Sequence, residues 1–279
     1  MNTSIFSLTE TSKTHFRQAL LLLALLIGAH RAFSQKTDST GITSITTSTP
    51  QQTIGRFSAG ASATNNGISL IPSFSLGKPA AVFDLTVGNK RLSFEPQFRF
   101  ALTGKPWSFI FWWRYKLLNI NNFTFNIGAH PSVVFRERTY IVNGDPEKAI
   151  VEQQYVAAEF VPNLALSKTV SIGAYYLVSH GFDKGTAKVT NFIALRSTFS
   201  RINLSKKVYL SFTPQVFYLR MDDRGGFYAN STLVLAKRNF PLSISSVMSK
   251  TIHSDIIGAK PFIWNISLNY LINKNYVGI

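Results

Sequence analysis

The amino-acid sequence predicts an all-β fold: a transmembrane, antiparallel, up-and-down β-barrel of about twelve strands, with ten to fourteen compatible with the same pattern. Three observations carry that prediction. Apolar and polar residues alternate with period two over most of the chain beyond residue 54. The apolar positions are unusually aromatic, with 23 Phe, 10 Tyr and 4 Trp in 279 residues. The connections between alternating segments switch between very short turns and longer stretches over the C-terminal two thirds.

Composition narrows the function classes. The chain has no cysteine, which removes disulfides, thiolate metal sites, cysteine nucleophiles and lipid attachment at a signal-cleavage cysteine. The formal charge is +16, yet only 15% of residues are charged. A nucleic-acid-binding domain would show lysine-rich runs, and none occurs, so nucleic acid is not an expected partner.

The N-terminus reads as an export signal over residues 1–34. Lys13, His15 and Arg17 precede eleven apolar or small residues from Ala19 to Ala29, and Ala32-Phe33-Ser34 supplies small residues before the cut. Eleven helical residues rise about 16 Å, too little to cross the hydrocarbon core. Residues 35–53 follow, ten of them Ser or Thr and none aromatic, so they predict a flexible leader that cannot build a core. The barrel is assigned to residues 54–279.

Candidate strands run over 68–76, 80–88, 91–102, 106–117, 122–136, 153–166, 169–180, 187–200, 206–220, 226–237, 240–250 and 260–272, with 54–64 extending or preceding the first. The pattern is clearest where Leu92, Phe94, Pro96, Phe98, Phe100 and Leu102 share one face and Arg91, Ser93, Glu95, Gln97 and Arg99 the other. Trp107, Phe109, Phe111, Trp113 and Tyr115 form the apolar face of the next. A soluble sandwich would also alternate, with its apolar side inward. Here the polar face carries lone charges among Ser, Asn, Gln and Gly. The aromatics Trp107, Tyr115, Tyr218, Phe227, Trp264 and Tyr270 gather at strand ends, as a membrane-interface girdle requires. Odd-numbered connections such as Glu137–Glu152 are long and even ones such as Asn89-Lys90 are short. Connections one (Gly77–Pro79) and three (Gly104–Pro106) break that parity.

On these features the chain resembles a Gram-negative outer-membrane β-barrel of the porin-like kind, over its signal peptide and residues 54–279. The final strand is similar to the terminal recognition signal of such proteins, with Phe262-Ile263-Trp264 and Tyr270 in alternation, followed by a short tail from Asn273 to Ile279. The resemblance implies residence in the outer membrane. It also implies contact with membrane lipid, including lipopolysaccharide, and with the barrel insertion machinery.

The inward face offers Asp84, Glu95, Arg99, Arg114, Lys116, His130, Arg136, Glu159 and Arg196, which either pair with one another or line a path for a small anionic solute. No cofactor or metal is expected, since His130 has no second histidine at a ligand spacing. Ser179-His180 suggests a phospholipase, with Asn191 to orient the histidine, but adjacent strand residues point to opposite faces. Asp222-Asp223 and His253-Ser254-Asp255, in connections nine and eleven, resemble the paired groups of omptin proteases, against a plainer role in turn chemistry. The sequence reading is therefore a porin-like channel or structural membrane component that is not an enzyme. The rivals are a closed-lumen barrel that binds partners through its outer loops, and a barrel-mouth hydrolase.

Overall fold

A backbone amide in hydrocarbon has no water to bond, so strands that cross a bilayer have to pair on both edges and close on themselves. In a computed structural model, which describes residues 54–277, the strands do so. They are β1 (Ile54–Thr64), β2 (Ala80–Gly88), β3 (Leu92–Ala101), β4 (Pro106–Ile120), β5 (Phe123–Val142), β6 (Asp145–Ala165) and β7 (Val170–Gly181). They continue as β8 (Val189–Asn203), β9 (Val208–Met221), β10 (Arg224–Lys237), β11 (Leu242–Ser254), β12 (Phe262–Trp264) and β13 (Ser267–Val277). Each pairs antiparallel with its neighbours. β1 then pairs with β13 from Ile54 opposite Val277 to Thr64 opposite Ser267, which closes the barrel. The predicted signal peptide and leader lie outside the described residues.

β12 and β13 are two pieces of one stave, because both pair with β11, at Met248–Trp264 and at Leu242–Tyr270 respectively. The predicted count of about twelve strands is thus met by twelve staves. At the break, the Asn265 amide oxygen accepts the Val247 N–H at 2.8 Å, a bond a backbone carbonyl would otherwise make. Asn65 accepts the Ile266 N–H at 2.8 Å. Side-chain amides thereby keep the interrupted edge satisfied.

The two faces match a bilayer outside and a packed lumen inside. On β6, Glu159 is 2% exposed and its neighbour Phe160 is 42% exposed, the inverse of a soluble core. On β5, Phe123, Phe125, Ile127, Ala129, Pro131, Val133 and Phe135 point outward until Glu137 ends the apolar band. That run is about as long as a tilted crossing requires. Outward rings also pack together, as with Phe98–Phe109 at 5.5 Å and Phe109–Phe135 at 5.1 Å between centroids.

Three boundaries differ from the sequence expectation. The first stave is 54–64, and 68–76 is no strand: it belongs to the connection 65–79, which contains a 3-10 turn at Pro72–Phe74. Proline fixes φ and donates no hydrogen bond, so Pro72 interrupts an otherwise strand-like alternation. Connection one is therefore long, which restores the parity that the tight Gly77–Pro79 turn seemed to break. The stretch Glu137–Glu152 is a hairpin rather than a loop. It is closed by Asn143-Gly144, both at positive φ (53° and 92°), as the tightest antiparallel turn demands. The expected tail from Asn273 instead continues as strand to Val277 against β1.

The short connections 89–91, 121–122, 166–169, 204–207 and 238–241 share one rim with the ends of β1 and β13. The connections 65–79, 102–105, 143–144, 182–188, 222–223 and 255–261 share the opposite, outer rim. Replacing Phe160, at the centre of the outward band, with lysine should destabilise the inserted barrel by about 2–4 kcal/mol. The same change at Ile141, on the projecting hairpin, should cost little. Urea titration in lipid vesicles measures both, and equal costs would misplace the membrane band.

Candidate functional site

The inner wall is wired by charge across β2, β3, β4, β6, β7 and β8. Arg114 is the hub. Its guanidinium donates to Glu159 at 2.6 Å and to Glu95, and it lies 4.3 Å over the Trp112 ring. Glu95 also accepts from the Ser93 hydroxyl at 2.7 Å. Glu159 accepts a further bond from the Tyr175 hydroxyl at 2.8 Å, and Arg196 stands over the Tyr175 ring. On the β2–β3 side, Arg99 donates to the Gln97 amide oxygen at 2.6 Å while the Gln97 amide N–H donates to Asp84. The buried Glu159 carboxylate is tolerable only because three groups donate to it, the Nε and Nη2 of Arg114 and the Tyr175 hydroxyl. Room for it comes from Gly128, where a Cβ would meet Glu159 Oε1 at 2.9 Å and Arg114 Cγ at 3.2 Å.

His130 is buried beside this hub, its ring 4.1 Å from that of Trp112. Lys116 faces the same side near the short-turn rim, opposite Asn126. Among the described residues, no ion pair takes Arg99, Arg136 or Arg196, and no group of three metal-ligating side chains occurs.

Connection 65–79 folds into the barrel rather than away from it. The loop is tied to itself, with Gly67 N–H donating to Lys78 O at 2.8 Å and Ser69 N–H to the Ser75 hydroxyl at 2.9 Å. Asn66 bonds the broken stave at Trp264 O. Ile71 packs on an apolar cluster formed by Phe192, Phe217, Leu219 and Tyr228 of the inner wall and Ile256 of the connection 255–261. The Phe74 ring meets Tyr155 edge-on at 5.0 Å, and the Phe74 carbonyl accepts the Trp107 indole N–H at 2.9 Å. Ser75 O accepts from Arg136 at 3.5 Å. Between the loop's Ile68 and Leu70 and the wall residues Arg196, Gln215 and Asn230 remains a cavity of about 330 Å³.

Trp107 is thereby corrected: it is not an interface aromatic. A β-bulge between Arg99 and Phe100 shifts the register so that Trp107 and Ser108 are both buried, with Arg99 5.1 Å over the indole. Tyr218 and Phe227 pack outward against each other at 4.7 Å near the outer rim, and Tyr115 lies by the short turn at Arg91. Tyr270 faces outward. Trp264 also does, opposite Met248 at the middle of β11 rather than at its end.

The hydrolase candidates do not converge. Ser179 is buried inward, whereas His180 is exposed on the other face against Phe182, and Asn191 accepts from the Tyr176 hydroxyl. At the outer rim, Asp222 accepts the Val189 N–H at 2.8 Å and Asp255 the Gly225 N–H at 2.6 Å, so each carboxylate caps a strand end. No hydrogen bond or ion pair joins any two of Asp222, Asp223, His253 and Asp255. Where the hairpin leaves the membrane band, Lys105 at 3.0 Å and Lys148 at 3.3 Å hold the Glu137 carboxyl below the usual carboxylate range.

No protein-family model matches the sequence, and neither does any curated protein. Solved structures do share the architecture. An outer membrane channel from Pseudomonas putida F1 aligns at a TM-score of 0.45 and 11% identity, over 80% of this chain and 95% of that one. OmpT, an outer membrane protein of Vibrio cholerae, aligns at 0.39 and 8%, over 81% and 99%. LpxR from Salmonella typhimurium aligns at 0.44 and 9%, over 76% and 99%. The closed antiparallel sheet with its apolar face outward is itself the fold of an outer-membrane β-barrel. The expectation that the chain is not an enzyme is corrected here, because a barrel fold by itself does not decide for or against catalysis.

Sequence reasoning placed Gln97 on the inward face without a role, and it did not find Tyr175 or the inserted loop. Pro72 inside 68–76 was the available signal for the loop. The hub makes a quantitative prediction. Glu159→Gln removes one of two carboxylates from a half-buried arginine and should destabilise the barrel by about 3 kcal/mol. The check is the shift in the heat-modified band on electrophoresis together with urea titration, and a shift no larger than that of Glu147→Gln on the hairpin would contradict the hub.

Proposed function

We propose that this outer-membrane barrel is a plugged, porin-like channel for small solutes, with segment 65–79 as the gate in its closed position. The observation that carries the reading is the seating of that segment inside the wall, held by the Trp107–Phe74, Arg136–Ser75 and Asn66–Trp264 bonds and by Ile71. Twelve staves lie between the eight that side chains fill and the sixteen that leave a channel, so a loop of this size decides whether the lumen conducts. Among the described residues no salt bridge takes Arg99, Arg136 or Arg196, which supports a preference of the path for anions.

Export through the segment 1–34, assembly by the insertion machinery and contact between outer-rim cations such as Lys148 and Lys184 and the phosphates of lipopolysaccharide belong to the same reading. The rival is a permanently closed lumen that serves as a binding module or structural element, and the Glu95–Arg114–Glu159 network favours it.

Planar-bilayer recording separates the two. The wild-type barrel should be silent or flicker briefly. Deletion of Ile68–Leu76 should give steady anion-selective steps, and Trp107→Phe, which removes one bond to the gate, should raise the frequency of brief openings. A deletion variant that folds, shown by heat-modifiable migration, yet stays silent would establish the closed lumen instead.

A further inference from the structure

At the outer rim the inserted segment and the barrel wall enclose a second cavity, of about 440 Å³, with a divided lining. Its floor is apolar and aromatic: Phe74 from the segment, Tyr155 from β6, Met221 at the end of β9 and Ile256 from connection eleven. Tyr155 and Ile256 are buried, so the floor is packed rather than open surface. Its walls are cationic, with Arg136 and Arg138 from the β5 side and Arg224 from β10.

The charge balance of that cavity is one-sided. None of the ion pairs among the described residues takes Arg136, Arg138 or Arg224. The acid on the lining, Glu137, is already shared by Lys105 and Lys148. Asp183, from the neighbouring connection, has its carboxylate on the Gln154 N–H. Three guanidinium groups thus line a cavity whose one lining carboxylate, Glu137, is shared by two lysines. Guanidinium is a planar, permanently charged donor suited to acidic oxygens, and it does not shed its charge to ease crowding.

We infer that this cavity is a binding site for a small organic anion that carries one acidic head on an apolar or aromatic body. Arg138 and Arg224 take the head, and the body lies on Phe74, Tyr155 and Ile256. An inorganic anion satisfies the walls and leaves the floor wet, whereas a neutral ring covers the floor and leaves the arginines unpaired. Only the combination uses both, and a cavity of this size holds on the order of a dozen heavy atoms. The inference names the solute class for the proposed channel, and it rests on that reading only in placing Phe74 at the mouth.

The test is equilibrium binding of 4-phenylbutyrate to the full mature chain in phosphatidylcholine nanodiscs, followed by calorimetry. Two reference probes are 4-phenylbutanol, which keeps the body without the charge, and inorganic phosphate, which keeps the charge without the body. Phenylbutyrate should bind at least tenfold more tightly than either. The double variant Arg138→Gln/Arg224→Gln, both at exposed positions, should lose at least tenfold while migrating as a folded barrel. Arg136 is left intact because it also holds Ser75.

Absence of binding by the wild type, equal affinity for the alcohol or for phosphate, or an unchanged double variant would each overturn the site. Conductance is not the readout here. A barrel that never conducts leaves a positive titration standing, and a failed titration leaves the gate untouched.

Discussion

Everything in this molecule depends on the pairing of its first stave with its last. Eleven residue pairs between β1 and β13 remove the two free edges that an open sheet would expose to lipid. The closure also fixes which face is enclosed. With Glu159 inside and Phe160 outside on one strand, a register slip of one residue would place a carboxylate in hydrocarbon. The broken twelfth stave shows how strictly backbone pairing is kept: where β12 gives way to β13, Asn265, Asn65 and Asn66 take over the bonds with their side chains.

Closure creates a lumen, and two different devices fill it. Toward the short-turn rim, charges are matched side chain to side chain around Arg114, and Gly128 makes the space for the buried carboxylate. Toward the outer rim, chain itself is inserted, on an apolar wall of Phe192, Phe217, Leu219 and Tyr228 that is foreign to a water-filled pore. The first device joins neighbouring strands and resists rearrangement. The second is a single loop, tied to the wall through bonds such as Trp107–Phe74 and Asn66–Trp264 and anchored by Ile71 and Phe74, and it is the part of the lumen to which the proposed gating assigns movement.

Much of the barrel was legible because lipid imposes a strong alternation. Strands such as β3, with five large apolar residues opposite Ser93, Glu95, Gln97 and Arg99, announce both their existence and their faces. β1 was hard to read because its outward positions, Phe57, Ala59, Ala61 and Ala63, are mostly small, while Ile68, Leu70, Phe74 and Leu76 imitate a strand. The inward charges were visible as a set, but their partners were not, because Arg114 and Glu159 lie 45 residues apart and meet only through the register of β4, β5 and β6. Trp107 was misread for a local reason. One extra residue in a bulge reverses a side chain, and no periodicity reports it.

The central claim is that segment 65–79 lies inside the barrel. The chain has no cysteine, so a single cysteine at Leu70 can be probed alone. In intact vesicles holding the folded barrel, a cysteine in place of Leu70 should react with a bulky polyethylene-glycol maleimide at least a hundredfold more slowly than one in place of Ile141 on the projecting hairpin. It should become fully reactive once the barrel is unfolded. Equal rates at the two positions in the folded protein would place the segment in solvent and contradict the account.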